Sequence, residues 1–422
     1  MAHFILLGLH FISTFVCIAD TTLDLMENTP QEHEFDASDY APRTNREPVV
    51  LIPGLLASAL ESRKIGDTKY DRIWVKLRRF LPPKTNEAIQ ILKPIYNEKT
   101  NTYHTFSGWD VRPIDYGGVD GVTVMDEHLS AWTKSFENLI NALKAVGYES
   151  RKDMFGAPWD WRVSTVDQIN TNGVSFLLKE LVERAYNQNR KKVVLVAHSC
   201  GGPLAQQFLN TYVTEEWKAK YISQLICVNC PFGGAILPIS YVMGRRRIAV
   251  PGSESILNHL TEEMGCIYWM MPNPLGYDMD EPVATMKKSG ENVTLSNIYK
   301  FMKEANMTKQ EIAMQHSQKA MAASTSHPGV KTTIVTSYGL KTPSLVELDD
   351  SKEGAKWWKE LVTEINGDGD GTVPLQSLKV PHSWKKKDSD ILNFIEYKGL
   401  DHSGPISDKN ALKDFVNLFS SE

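Results

Sequence analysis

The sequence predicts an α/β protein built on a mostly parallel sheet with helices on both faces. Three observations carry that prediction. Short β-branched runs alternate with amphipathic helical segments along much of the chain, the pattern that parallel sheets require. One run, Lys192 to Gly202 (KVVLVAHSCGG), reads as a buried strand that stops at a serine and turns at once into a helix. That turn is the nucleophile elbow of α/β hydrolases. Finally, 422 residues suffice for one large domain with excursions. A hydrophobic content of 42% with 23% charged residues marks a globular chain, and a formal charge of −5 gives no reason to expect nucleic-acid binding.

Taken in order, the first nineteen residues hold no Lys, Arg, Asp or Glu and end in Cys17-Ile18-Ala19. An apolar run of about fifteen residues is short for a membrane span and suits a signal peptide at 1–19. Residues 20–46 are a polar, acidic stretch without pattern, expected to be a flexible, loosely held leader, and the folded domain is expected over 47–420. Pro48 to Ile52 is a short buried strand. From His128 to Val146, Leu129, Trp132, Phe136, Leu139, Ile140 and Leu143 fall at helical spacing, and Gly147 stops the helix. Val174 to Tyr186 is a second amphipathic helix. The elbow strand covers 193–197, further strands 224–229, 332–336 and 391–397, and a last helix begins near Asp408.

Two stretches break the alternation. One follows the first strand and contains IWVKLRRFLPP (73–83); the other spans about 233–330 and holds Arg245, Arg246, Arg247 and IYWMMPNP (267–274). Insertions of this length are lids or substrate domains more often than plain loops. Their large apolar residues beside basic ones suit an interfacial surface, and a small second core is the alternative. The cysteines left after removal of the leader are Cys200, Cys227, Cys230 and Cys266. Three extended residues span about 10 Å, too far for a Cys227–Cys230 bridge, which needs Cα atoms within about 7 Å, so these two read as small buried strand residues. Asn292 and Asn306 begin glycosylation sequons, which places them on the surface.

A nucleophilic serine needs a base to take its proton and a carboxylate to orient the base. Ser199 is the nucleophile. In α/β hydrolases the acid and then the histidine follow it along the chain. The loop NGDGDGTVPL (366–375) offers Asp370, directly ahead of Gly371-Thr372-Val373, with Asp368 as runner-up. A Ca²⁺ loop is the competing use of such carboxylates, but the twelve-residue spacing with its terminal Glu is absent, and no metal or cofactor is expected. Of the two later histidines, His402 in GLDHSG lies after the last strand and His382 before it, so His402 is the base. The oxyanion donors are the backbone N–H groups of Cys200 and Leu55, the latter just after Pro53-Gly54.

IPGLLASALE, GYESRKDMFGAPWDWR, VVLVAHSCGG, NCPFGG, GDGDGTVP and GLDHSG occur in that order and resemble the lecithin:cholesterol acyltransferase family across about 48–420. The resemblance implies an α/β-hydrolase fold with a membrane-binding subdomain (65–105) and a lid or cap (233–330). It also puts Ser199, Asp370 and His402 in a triad, with Leu55 and Cys200 at the oxyanion hole. Trp74, Leu77 and Phe80 fall in the implied docking segment beside Lys76, Arg78 and Arg79. Two disulfides that mammalian members carry have no cysteines here. The expected protein is a phospholipid acyl hydrolase and O-acyltransferase of the secretory pathway, secreted or in a lysosomal or vacuolar lumen. Its partners would be a phospholipid membrane or lipoprotein surface and possible lipid alcohol acceptors. A neutral-lipid lipase or esterase, or an inactive lipid-binding protein, is the alternative.

Overall fold

The computed structural model describes residues 36–419 apart from 75, 77–78, 81–83, 101, 127–133, 164–172, 244–260, 262–263, 322–325, 352–359, 361 and 389. The expected signal peptide, most of the leader, Leu77, Arg78 and the triple arginine at 245–247 lie outside the described residues. Six parallel strands form the central sheet, in the order Leu392–Lys398, Thr332–Tyr338, Ile222–Val228, Val193–His198, Val49–Ile52, Met154–Gly156. Five of these were expected from their β-branched runs. The short Met154–Gly156 strand, three residues long, was not, because it carries no alternation to detect.

Alternate residues of each strand feed two separate cores, as a pleated sheet covered on both sides requires. Val50, Ile52, Leu195, Ala197, Leu225 and Cys227 pack on one face with Leu178, Leu181 and Val182 of the helix Val174–Asn189. Val49, Leu51, Val194, Val196, Ile226 and Val228 pack on the other. There they meet Leu139, Ile140 and Leu143 of the helix Glu137–Ala145, and Leu412, Phe415 and Val416 of the helix Lys409–Val416. The amphipathic spacing read from the sequence locates all three helices. The one expected from His128 to Val146 is shorter than that span: it begins at Glu137, Lys134 instead bridging Val124, and residues 128–133 lie outside the described residues.

Both excursions contain regular structure. After the first strand, Leu60–Lys64, Asp71–Trp74 and Trp109–Pro113 form a small antiparallel sheet, with a hairpin of Ile95–Asn97 and Thr102–His104 inserted. The second excursion contributes Pro282–Met286 and Asn292–Thr294 to a four-stranded sheet completed by Leu340–Leu348 and Thr363–Gly369. Its apolar side chains Val283, Val293, Val346 and Leu348 join the first core. The last of these strands ends one residue before Asp370, so part of the segment taken as a loop, 366–369, is strand.

Trp74 is enclosed in the core and cannot serve as a docking side chain, contrary to the expectation for that segment. Trp74 is 1% exposed; its strand pairs Trp74 with Leu60, with a register shift between Leu60 and Glu61, and its ring meets Trp161 edge-on at 5.0 Å. Phe80 is half-buried against the same core and lies edge-on to Trp74 at 6.3 Å. The neighbouring cations Lys76 and Arg79 both pair with Asp71. An apolar and basic ribbon is ambiguous in sequence; here its tryptophan turns inward, its phenylalanine is half-buried against it, and two of its cations meet a local carboxylate.

Candidate active site

The elbow strand Val193–His198 ends at Ser199, whose φ of 53° lies in the left-handed region that costs a non-glycine residue strain. The turn survives because the chain around it is crowded and bonded. Ser199 N–H donates to the Val228 carbonyl at 2.9 Å and Gly202 N–H to the Ser199 carbonyl at 2.9 Å. A Cβ on Gly201 would sit 2.4 Å from the Ile52 carbonyl oxygen, and one on Gly202 would sit 2.2 Å from the Cys230 sulfur. The smallness of the elbow is thus imposed by the first strand and by the Cys230 turn.

Ser199, His402 and Asp370 come together in one hydrogen-bonded line. His402 Nε2 is 2.8 Å from Ser199 Oγ, and His402 Nδ1 is 2.7 Å from Asp370 Oδ2. Asp370 is fully buried while Ser199 is half-exposed, so the charge is shielded and the hydroxyl reachable. The other carboxylate oxygen of Asp370 accepts from Thr372 N–H at 2.9 Å and Val373 N–H at 2.7 Å, which locks the side chain in the orientation the histidine uses. Asp368 is exposed and takes Gly339 N–H at 2.7 Å, a strand-end contact away from the line. Among the described residues no group of three or more His, Cys, Asp or Glu side chains could hold a metal ion.

Burial pulls the pKa of His402 down, but the adjacent Asp370 charge and hydrogen bond outweigh it and leave the pKa above its ordinary value. The opposite holds for His198, whose burial, aided by the nearby His402, drives its pKa down to about 3. Sequence reasoning missed His198 and Asn229 as parts of this site. His198 Nε2 and Asn229 Nδ2 each lie 2.9 Å from the backbone carbonyl oxygen of His402. Their only sequence signal was adjacency: His198 precedes the serine, and Asn229 opens the quoted NCPFGG motif.

The loop expected to supply an oxyanion donor passes directly against Ser199, since a Cβ on Gly54 would lie 2.7 Å from Ser199 Cβ. Three indoles hold that loop. Trp159 Nε1 donates to the Pro53 carbonyl at 2.7 Å, Trp74 Nε1 to Leu56 at 2.8 Å, and Trp161 Nε1 to Ser58 at 3.0 Å. Leu55 sits in the middle of the clamped stretch, and Cys200 caps the helix Gly201–Gln207 on the other side of Ser199. Arg162 completes the APWDWR segment, forked onto Asp160 and donating to the Ile91 carbonyl at 3.1 Å. The four described cysteines are free and buried; Cys200 and Cys266 bring their sulfurs to 3.1 Å, and burial pushes the Cys266 thiol well above its ordinary pKa. The sequon residues Asn292 and Asn306 are both exposed.

A six-stranded parallel sheet with a serine at a left-handed turn after its elbow strand defines an α/β hydrolase. The solved structure of the Tle4–Tli4 complex has the same fold, with a TM-score of 0.50 at 14% identity over 88% of this chain and 97% of that one. The lecithin:cholesterol acyltransferase model matches residues 70–332, and the chain belongs to that family of enzymes. Lysosomal phospholipase A and acyltransferase from Bos taurus is 26% identical, covering 88% of this chain and 91% of its own. Lecithin-cholesterol acyltransferase-like 1 from Arabidopsis thaliana is 26% identical, covering 89% and 90%. Phosphatidylcholine-sterol acyltransferase from Gallus gallus is 26% identical, covering 86% and 88%.

Proposed function

We propose that this enzyme removes a fatty acyl chain from a glycerophospholipid through an acyl-serine intermediate and passes it to water or a lipid alcohol. His402 takes the Ser199 proton as Oγ attacks the ester carbonyl. Asp370 fixes the imidazole with its proton on Nδ1 and stabilises the cation that forms. The N–H groups of Leu55 and Cys200 receive the developing oxyanion, and His402 returns its proton to the departing lysolipid. Water or an alcohol, deprotonated by the same histidine, then releases the acyl chain.

The observation that carries this reading is the Asp370–His402–Ser199 line at 2.7 and 2.8 Å. A glycerophospholipid as acyl donor is favoured by what the relatives are named for. Action in a lysosomal lumen fits the printed names of several relatives; none of the described helices is long and apolar enough to cross a membrane. The test is incubation with phosphatidylcholine vesicles, with and without an added long-chain alcohol, products being resolved by class. Free fatty acid and lysolipid are expected in both, with an alkyl ester appearing at the expense of fatty acid when alcohol is present. Ser199→Ala should abolish every product, since triad loss leaves only about 10³–10⁴ over the uncatalysed rate. Products that persist in Ser199→Ala would refute the proposal.

A further inference from the structure

The His402 carbonyl is held by two donors that arrive from different strands. One is His198 Nε2 at 2.9 Å; because a carbonyl only accepts, this contact requires the proton on Nε2, and burial keeps that imidazole neutral. The other is Asn229 Nδ2, also at 2.9 Å. The same Asn229 amide reaches Ser337 on the neighbouring strand, its Oδ1 accepting from Ser337 N–H at 2.7 Å and its Nδ2 lying 3.2 Å from Ser337 Oγ. Its own N–H donates to the Val335 carbonyl at 2.9 Å.

Asn229 is fully buried at a φ of 48°. Glycine would meet that backbone demand without strain, so the backbone alone does not call for an asparagine. What glycine lacks is a side chain carrying both a donor and an acceptor, and the contacts at Asn229 use both. The residue before it, Val228, takes the Ser199 N–H at 2.9 Å. Consecutive residues of one strand end therefore hold the backbone of Ser199 and the backbone of His402. His198 and Ser199, also consecutive, reach the same histidine at its carbonyl and at Nε2.

We propose that Asn229, together with His198, is a positioning residue: a two-donor clamp on the His402 carbonyl that sets the imidazole between Ser199 and Asp370. The clamp rests on the triad reading above and extends it. The triad contacts hold only the ring of His402. Two bonds to its carbonyl from the ends of two adjacent strands fix the main chain as well, and Asn229 Nδ2 also lies 3.4 Å from the Asp401 carbonyl. A misplacement of about 1 Å in a reacting group costs on the order of 10²-fold in rate, so the clamp should appear in turnover and not in substrate affinity.

Four variants and one control, assayed on a soluble short-chain ester, test it. Asn229→Gly keeps the left-handed backbone and deletes the amide; kcat should fall about 10- to 100-fold with KM within about twofold of wild type. Asn229→Asp replaces the donor with a second acceptor facing the carbonyl and should fall further than Asn229→Gly. His198→Leu should lose kcat, and His198→Gln, whose amide N–H can reach toward the same carbonyl, should recover roughly tenfold over it. In the control, His402→Ala should be inactive. A dead His402→Ala beside a fully active Asn229→Gly would overturn the clamp and leave the triad standing. An active His402→Ala would overturn both. If Asn229→Gly does not fold, the His198 pair decides: equal kcat in His198→Leu and His198→Gln, at equal melting temperature, would overturn the proposal.

Discussion

The carboxyl edge of the central sheet and the excursion between the first strand and Met154–Gly156 are both rich in aromatic and charged residues, yet they use them in opposite ways. At the sheet edge the charged group is buried and fully bonded: Asp370 is enclosed and held by its neighbours and His402. In the excursion the apolar groups are buried for packing. Trp74, which the sequence suggested would face a membrane, is an inward prop whose indole N–H meets the Leu56 carbonyl. Fixed short-range geometry governs the first region. Tertiary cover governs the second, and sequence states it poorly.

The largest expected effect that sharpens this contrast lies at the two carboxylates. Asp370→Asn should lower kcat by about 10⁴, the scale seen when a triad carboxylate becomes an amide. Asp368→Asn should change kcat by less than about tenfold, because Asp368 is exposed and away from His402 and an amide oxygen can still accept from Gly339 N–H. Steady-state kinetics on one soluble ester compares them. Equal losses would erase the distinction between buried acid and surface carboxylate.

Next comes the excursion. Trp74→Ala removes a fully buried indole and should cost about 3–5 kcal/mol of stability, read as a fall in denaturation midpoint, with vesicle binding and soluble-ester turnover declining together. Trp74→Phe keeps most of the ring volume but leaves the Leu56 carbonyl unpaired, at about 1–3 kcal/mol. A Trp74→Ala protein of wild-type stability that fails only to bind vesicles would restore the docking role and break the comparison.

The smallest effect is a pH shift. His402 must be neutral to accept the Ser199 proton, so kcat/KM should rise with pH through the folded-state pKa of this histidine. Because Asp370 holds that pKa above its ordinary value, the inflection should fall above about 6.5, the reference for an unperturbed histidine. In Asp370→Asn the residual activity should inflect at lower pH, since the charge that favoured the imidazolium is gone while the burial that opposes it remains. An inflection that stays in place would show that the rate follows some other group.

Much of the fold and the line of contacting side chains was legible in sequence because each piece has a local cause. The β-branched runs at 193–197 and 332–336 mark strands that are buried on both faces, and the spacing of Leu139, Ile140 and Leu143 marks one face of a helix. The small residues after Ser199 reflect a turn that touches Ile52 and Cys230. Asp370 stood out from Asp368 by standing directly ahead of Gly371-Thr372-Val373, and in the structure the Thr372 and Val373 N–H groups return to its carboxylate. What sequence did not disclose depends on long-range meetings. Asn229 and His402 are 173 positions apart, and no spacing rule links them. Trp74, Trp159 and Trp161 converge on residues 53–58 from two segments, and nothing local in IWVKLRRFLPP says that its tryptophan turns inward.

The central claim, that Ser199 is a nucleophile activated by His402, is tested most directly by covalent trapping. The protein would be treated with a long-chain alkyl fluorophosphonate, digested and mapped by mass spectrometry. The account predicts one phosphonyl group per chain, on the peptide carrying Ser199, formed at a rate that collapses in His402→Ala. Labelling at another residue, or labelling of Ser199 at an unchanged rate in His402→Ala, would contradict it.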